Sequence, residues 1–324
     1  MALTEEKLKD GIIEENNNNS DDRIRSKLSK GSKQSKRSKT SGRRRARAWE
    51  LDALRGLAII MVVWDHFMYS VGHIFYLNGW EYTDSAFLNK FGEFALDYWD
   101  STLRLYGWPV FVFIFFFVSG ICTAFSRNNF FRGLKLAIVA LAVTGITYLL
   151  ENVSGFFGVY IQFGVLHCLA LCILIFAFLS IFVNLLNRLK YGNFIKAAIY
   201  ALIAIALYII NAKLNVSLID MQLHGATVPD TTPITGMFLY TNDWWTADYF
   251  PLLPFFAFFM TGAALAPVLY PHGKSLLPSL DGKWNKFLTV PGKYSLYIYL
   301  CIQVVSIALL WLLTLIVTGE SYFI

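Results

Sequence analysis

Residues 49–69 read WELDALRGLAIIMVVWDHFMY, an apolar helical run that also carries Glu50, Asp52, Arg55, Asp65 and His66. A helix that crosses a bilayer needs about 20 mostly apolar residues, and ionisable side chains inside one are costly enough to mark a site. Arg55 and His66 are eleven residues apart. At 100° per residue they fall about 20° past three full turns, on one face and roughly 16 Å apart along the axis. One line of contacts along this helix therefore suits the two ends of a long ligand.

The rest of the chain agrees with a membrane setting. Of 324 residues 56% are hydrophobic and 17% aromatic, with mean hydropathy +0.49, well outside the range of soluble globular domains. The net charge of +6 is unevenly placed, because residues 1–48 hold 14 of the 28 Lys and Arg and 7 of the 22 Asp and Glu. The body is left slightly acidic, without the basic groove that nucleic-acid binding requires. Residues 1–48 are polar and rich in Asn, Ser, Lys and Arg, and predict a disordered basic cytoplasmic tail. Its last basic cluster, Arg43, Arg44, Arg45 and Arg47, fits the positive-inside rule and attraction to anionic membrane lipid. Cys122, Cys168, Cys172 and Cys301 lie in apolar runs, where cysteine behaves as a small hydrophobe, so neither a disulfide framework nor a metal site is expected.

Seven apolar runs, near 51–72, 108–125, 134–150, 161–186, 194–211, 249–269 and 294–317, are long enough to span. The expected fold is an all-α polytopic bundle over 49–324 with the amino terminus cytoplasmic. Alternate connections carry Arg127, Arg132 and Lys135, then Arg188, Lys190 and Lys196, then Lys274, Lys283, Lys286 and Lys293, while the others carry Glu81, Asp84, Glu93, Asp97, Asp100, Glu151, Asp220, Asp230 and Asp243. An amphipathic helix over 85–105 is expected to lie at the external interface, and the connection 212–248 to help cap an outer cavity.

Each candidate site residue has a structural reading beside its functional one. Asp52 sits in the first turn, where the helix dipole stabilises a carboxylate and Arg55 is three residues on. Arg55 either snorkels to the cytoplasmic face or holds an anionic head group there. His66 is suited to proton transfer near neutral pH, and Asp65, about 100° away, faces another helix. His167, roughly 10 Å in from the external side, either meets His66 or bonds to a backbone carbonyl between helices. Arg127, Arg132 and Lys135, on the side of Arg55, either bind phosphates or anchor the topology.

Four blocks, WELDALRGLAIIMVVWDHFMY (49–69), FFFVSGICTAFSRNNFFRGLK (115–135), IQFGVLHCLAL (161–171) and DYFPLLPFFAFFMTGAAL (248–265), together resemble the catalytic domain of heparan-alpha-glucosaminide N-acetyltransferase and its bacterial relatives, over roughly 49–271. The resemblance implies a membrane acyltransferase that takes an acyl group, commonly from acetyl-CoA in the cytoplasm, to a sugar amine or hydroxyl on the far side. For this chain that means an extracytoplasmic glycan or amino-sugar acceptor in a bacterial cell envelope. Arg55, Arg127, Arg132 and Lys135 would then hold coenzyme A phosphates. His66 would act as base or nucleophile, with Asp65, His167 and Asp248 binding or polarising the acceptor. Two departures stand out. A histidine shortly after the first span is matched by His73 as well as by His66, and the family's Tyr-Leu-x-His-Gln in the last span is here Tyr299-Leu300-Cys301-Ile302-Gln303. The rival reading is a transporter or flippase lined by the same charges. It lacks support from inverted halves or from Gly/Pro-broken helices in corresponding positions.

Overall fold

A computed structural model describes residues 48–154, 159–185, 191–223, 233–240 and 246–319. The tail's expected disorder, and Arg188, Lys190, Asp230 and Asp243, lie outside the described residues. The described chain is helical with no strand, and seven of its helices are long and apolar enough to cross a membrane. Backbone polar groups inside a bilayer must be satisfied within the segment, which is why such apolar runs adopt helix.

The first helix, α1 (Trp49–Tyr69), continues into a π-helical segment, Ser70–Tyr76. Its start is anchored by side chains. Glu50 accepts hydrogen bonds from Ser275 Oγ (2.8 Å), the Leu276 N–H (2.7 Å) and Tyr270 Oη (3.2 Å), and Trp49 Nε1 donates to the Leu277 carbonyl at 2.8 Å.

The amphipathic helix expected over 85–105 is instead two elements. Helix α2 (Ala86–Trp99), capped by Ser85, ends at Asp100, and Ser101 caps a new helix, α3 (Thr102–Ile121), by accepting from the Arg104 N–H. The second span thus begins six residues before its expected start at 108. A serine oxygen there supplies an N-cap that the hydropathy pattern does not reveal. Arg104 is thereby carried into the first turn of a spanning helix. The chain continues through α4 (Asn129–Ser154), α5 (Val165–Asn184), α6 (Gly192–Lys213), two short helices α7 (Leu218–Leu223) and α8 (Pro233–Phe238), α9 (Leu252–Leu269), α10 (Lys286–Lys293) and α11 (Ser295–Thr318).

Helix α9 is central, with 61% of its apolar window buried against 11% for α4 and for α6, which face outward. Its Phe255, Phe259 and Met260 are fully buried in the main core with Phe116 of α3 and Ile173 of α5. A second cluster joins Met68, Val71 and Phe75 to Leu88 of α2 and Leu310 of α11. Small residues let backbones approach where spans cross. A Cβ placed on Gly120 would stand 2.0 Å from the Phe259 carbonyl oxygen, and one on Gly262 would stand 1.9 Å from that of Phe117. The same reciprocal contact joins Gly56 of α1 and Gly292 of α10.

Among the described residues, Lys and Arg gather on the face of the bundle where α1 begins, and Asp and Glu predominate on the other. Those two faces are called basic and acidic below.

Candidate active site

Helices α1 and α3 pack tightly near the basic face, where Leu51 shares a cluster with Val118 and Ile121. Towards the acidic face they part around a cavity of about 330 Å³. Apolar side chains line most of it, among them Ile59, Val62, Val110, Phe111 and Phe115, and its polar groups are few: Asp65, His66, Tyr98, Arg104, Asp248 and Tyr299. An apolar cleft with a small set of convergent polar groups is the usual form of a small-molecule site.

His66 Nδ1 lies 3.0 Å from the Val62 carbonyl oxygen one turn earlier. A carbonyl only accepts, so Nδ1 carries the proton, and in the neutral ring Nε2 keeps its lone pair. The Tyr299 ring stands edge-on to the imidazole at 6.1 Å between centroids. Tyr299 Oη donates to Asp248 Oδ2, which also accepts the Val165 N–H at 2.9 Å from the first turn of α5. This contact requires Gly164, since a Cβ there would be 2.5 Å from Asp248 Oδ2. Asp248 itself has φ +54°, a left-handed conformation costly for most non-glycine residues, held where two helix ends fix its carboxylate. Burial raises its pKa, and His66, the Tyr299 hydroxyl and the Val165 N–H each oppose that rise.

Asp65, as expected, faces another helix. Its carboxylate takes Arg104 Nε at 2.8 Å and a second guanidinium nitrogen at 3.4 Å, and Tyr98 Oη at 3.2 Å. The guanidinium also sits 3.4 Å over the Trp99 ring, a cation–π contact. Burial and the neighbouring Asp65 charge push the Tyr98 phenol well up.

His167 and His73 are not among the cavity's lining residues. Gly164 N–H donates to His167 Nδ1 at 3.2 Å, while Nε2 meets Thr144 Oγ1 at 2.9 Å. The Thr144 hydroxyl proton goes to the Ile161 carbonyl, so Nε2 is the donor and both ring nitrogens are engaged. This arrangement fixes the turn that presents the Val165 N–H to Asp248. His73 stacks on Tyr69 at 4.9 Å and meets the Trp99 ring at 5.0 Å, and its Nδ1 is buried without a hydrogen-bond partner.

At the basic face, an Arg55 guanidinium nitrogen lies 2.8 Å from Cys122 Sγ, and another lies 3.6 Å from Asp52. Arg132 donates to Ser119 Oγ at 2.9 Å and interacts electrostatically with both Arg55 and Cys122. These two cations converge, whereas Arg127 and Lys135 are exposed on the adjoining connection and first turns of α4. Among the described residues no three His, Cys, Asp or Glu side chains gather as metal ligands.

Sequence reasoning passed over Arg104, Tyr98 and Tyr299. The serine preceding α3 was the signal for the first. Nothing in the spacing of the chain announces the meeting of Tyr299 with Asp248.

No curated protein and no solved structure matches the chain. The family model described as heparan-alpha-glucosaminide N-acetyltransferase, catalytic, matches residues 47–304, which takes in every cavity residue and extends past the stretch expected from sequence into α11. The chain belongs to that family.

Proposed function

We propose that this protein transfers an acetyl group from acetyl-CoA, bound from the basic face, to the amine or hydroxyl of a sugar at the acidic face. The family implies acyl transfer. The observation that carries the rest is the His66 ring, pinned through Nδ1 so that Nε2 is available as a base in a cavity with a carboxylate opposite. The acceptor nitrogen or oxygen attacks the thioester carbonyl as Nε2 takes its proton. The C–S bond then breaks and the departing thiolate takes that proton back from His66. Asp248 binds the acceptor amine or hydroxyl. Tyr299 and the Val165 N–H hold the carboxylate in place, and Asp65, neutralised by Arg104, keeps α1 in register with α3.

Arg55 and Arg132 are the coenzyme A phosphate ligands in this reading, joined by Arg127 and Lys135 from the surface, and the roughly 16 Å from Arg55 to His66 suits a pantetheine arm. The bias of Lys and Arg to the basic face supports a cytoplasmic amino terminus, and with it the bacterial cytoplasmic membrane and an envelope glycan as acceptor. The test is thiol release from acetyl-CoA by protein in sealed vesicles supplied with a glucosaminide. Arg55→Ala and Arg132→Ala are each expected to raise the KM for acetyl-CoA about 10- to 150-fold, as loss of one charge-assisted contact does. Transport of the sugar without thiol release would make the protein a carrier instead.

A further inference from the structure

The cavity's walls differ between its end and its side. Towards the acidic face its lining ends at Arg104 and Asp65, whose side chains are only 7% and 14% exposed, with the guanidinium packed over the Trp99 ring. Along the gap between α1 and α3 its lining reaches the outer surface. Trp64 is 41% exposed there, Val110 53% and Leu103 79%, and all three are lining residues of two spanning helices. Val110 lies eight residues into α3, about 12 Å along its axis, so this apolar rim faces the hydrocarbon of the bilayer.

The polar end has its own preference. Asp65 is neutralised by Arg104 within ion-pair distance, while Asp248 has only neutral donors and His66 beside it. A carboxylate without a strong cation suits an amine on the entering molecule. The donor's cations, Arg55 and Arg132, are not among the cavity's lining residues.

Resting on the acetyl-transfer reading above, we propose that the acceptor is membrane-anchored: an amino sugar carried on a long hydrocarbon chain. It enters sideways between α1 and α3, with its chain along Leu103, Val110 and Phe111 and its amine between Asp248 and His66. The lateral gap solves a problem the ion-paired end poses, because an acceptor held in the bilayer reaches His66 without breaking the Asp65–Arg104 pair.

The test is photolabelling of the full-length protein in phospholipid vesicles with a dodecyl glucosaminide bearing a diazirine in its alkyl chain. Labelled peptides are expected from α1 around Met61–Trp64 and from α3 around Leu103–Phe111. Unlabelled dodecyl glucosaminide should suppress the labelling at least tenfold more effectively than dodecyl glucoside, which has the chain but no amine, or methyl glucosaminide, which has the amine but no chain. Val110→Trp and Leu103→Trp, both at exposed positions that tolerate a larger side chain, should each reduce the competed labelling. Label spread over the outward faces of α4 and α6 without competition would overturn the proposal. So would label suppressed by palmitoyl-CoA but not by the glucosaminide, which would give the groove to the donor's chain. The readout does not depend on turnover. Competed labelling without thiol release would refute the transferase reading and keep the groove, whereas thiol release with uncompeted labelling would do the reverse.

Discussion

Arg104 and Asp65 face each other across the acidic-side ends of two spanning helices, Nε to Oδ1 at 2.8 Å. Breaking a buried pair by removing one partner leaves an uncompensated charge and costs about 3–5 kcal/mol, whereas replacing both with apolar residues is often neutral. Arg104→Met and Asp65→Leu should each lower the melting temperature sharply. The double variant should recover most of that loss while losing activity, because the strut holding α1 against α3 no longer sets the cavity's width. Additive destabilisation in the double variant would show that the two side chains act independently.

His66 and His73 separate chemistry from packing. His66→Ala should reduce turnover by roughly 10²–10⁴-fold, the range for a lost general base, with little change in melting temperature or acetyl-CoA affinity. His73, enclosed by Tyr69 and Trp99, should on truncation cost roughly 0.5–3 kcal/mol of stability with turnover per folded molecule retained. An inactive, fully stable His73→Ala beside an active His66→Ala would move the chemistry to the outer mouth.

Asp248 should give the protein a pH-dependent stability of known sign. Burial raises its folded pKa above the ordinary 3.8, so the folded chain holds this proton more tightly than the unfolded one. Its contribution is then full below 3.8 and is lost as pH rises through the higher folded value. Relative to Asp248→Asn, the wild type should therefore become less stable across that window and level off above it. Tyr299→Phe removes one of the interactions opposing the rise and should move the window upward. Parallel melting curves for wild type and Asp248→Asn at every pH would contradict this.

Gly164→Ala tests the same carboxylate without touching it. The added methyl would stand 2.5 Å from Oδ2, so Asp248 must leave the Val165 N–H. The acceptor KM should rise while that for acetyl-CoA stays put.

Gly262→Ala should cost about 1–3 kcal/mol, as overpacking does, because what it meets at 1.9 Å is the Phe117 backbone oxygen rather than a side chain able to turn. Gly145→Ala in α4, with nothing within 4 Å, should be stabilising by up to about 1 kcal/mol. Equal melting temperatures for the two variants would mean that the α3–α9 crossing is looser than it looks.

The seven spans were legible because each is a predominantly apolar run, and hydrophobicity over some 20 residues leaves little choice of structure. The start of the second was not. Leu103 and Tyr106 extend the apolar pattern on both sides of Arg104, and only Ser101, a cap visible as one hydroxyl, decides where the helix begins. Asp65 and His66 could be singled out because charge inside a span is costly. Their partners could not, since Arg104, Asp248 and Tyr299 come from 39 to 233 residues away in sequence and meet only when α3, α9 and α11 pack. His167 shows the limit from the other side. Its residue type suits catalysis, and only the bonds to Gly164 and Thr144 reveal how fully its ring is occupied.

The π-helical segment Ser70–Tyr76 determines which way the second histidine points. In an unbroken α-helix seven residues return to within about 20° of the starting direction, and His73 is seven residues beyond His66. Without the wider turn it would stand over the same cavity, and the site would hold two interchangeable bases in a row. The looser winding instead turns His73 against Tyr69 and Trp99. Selection between two chemically identical side chains is thus made by the pitch of the backbone.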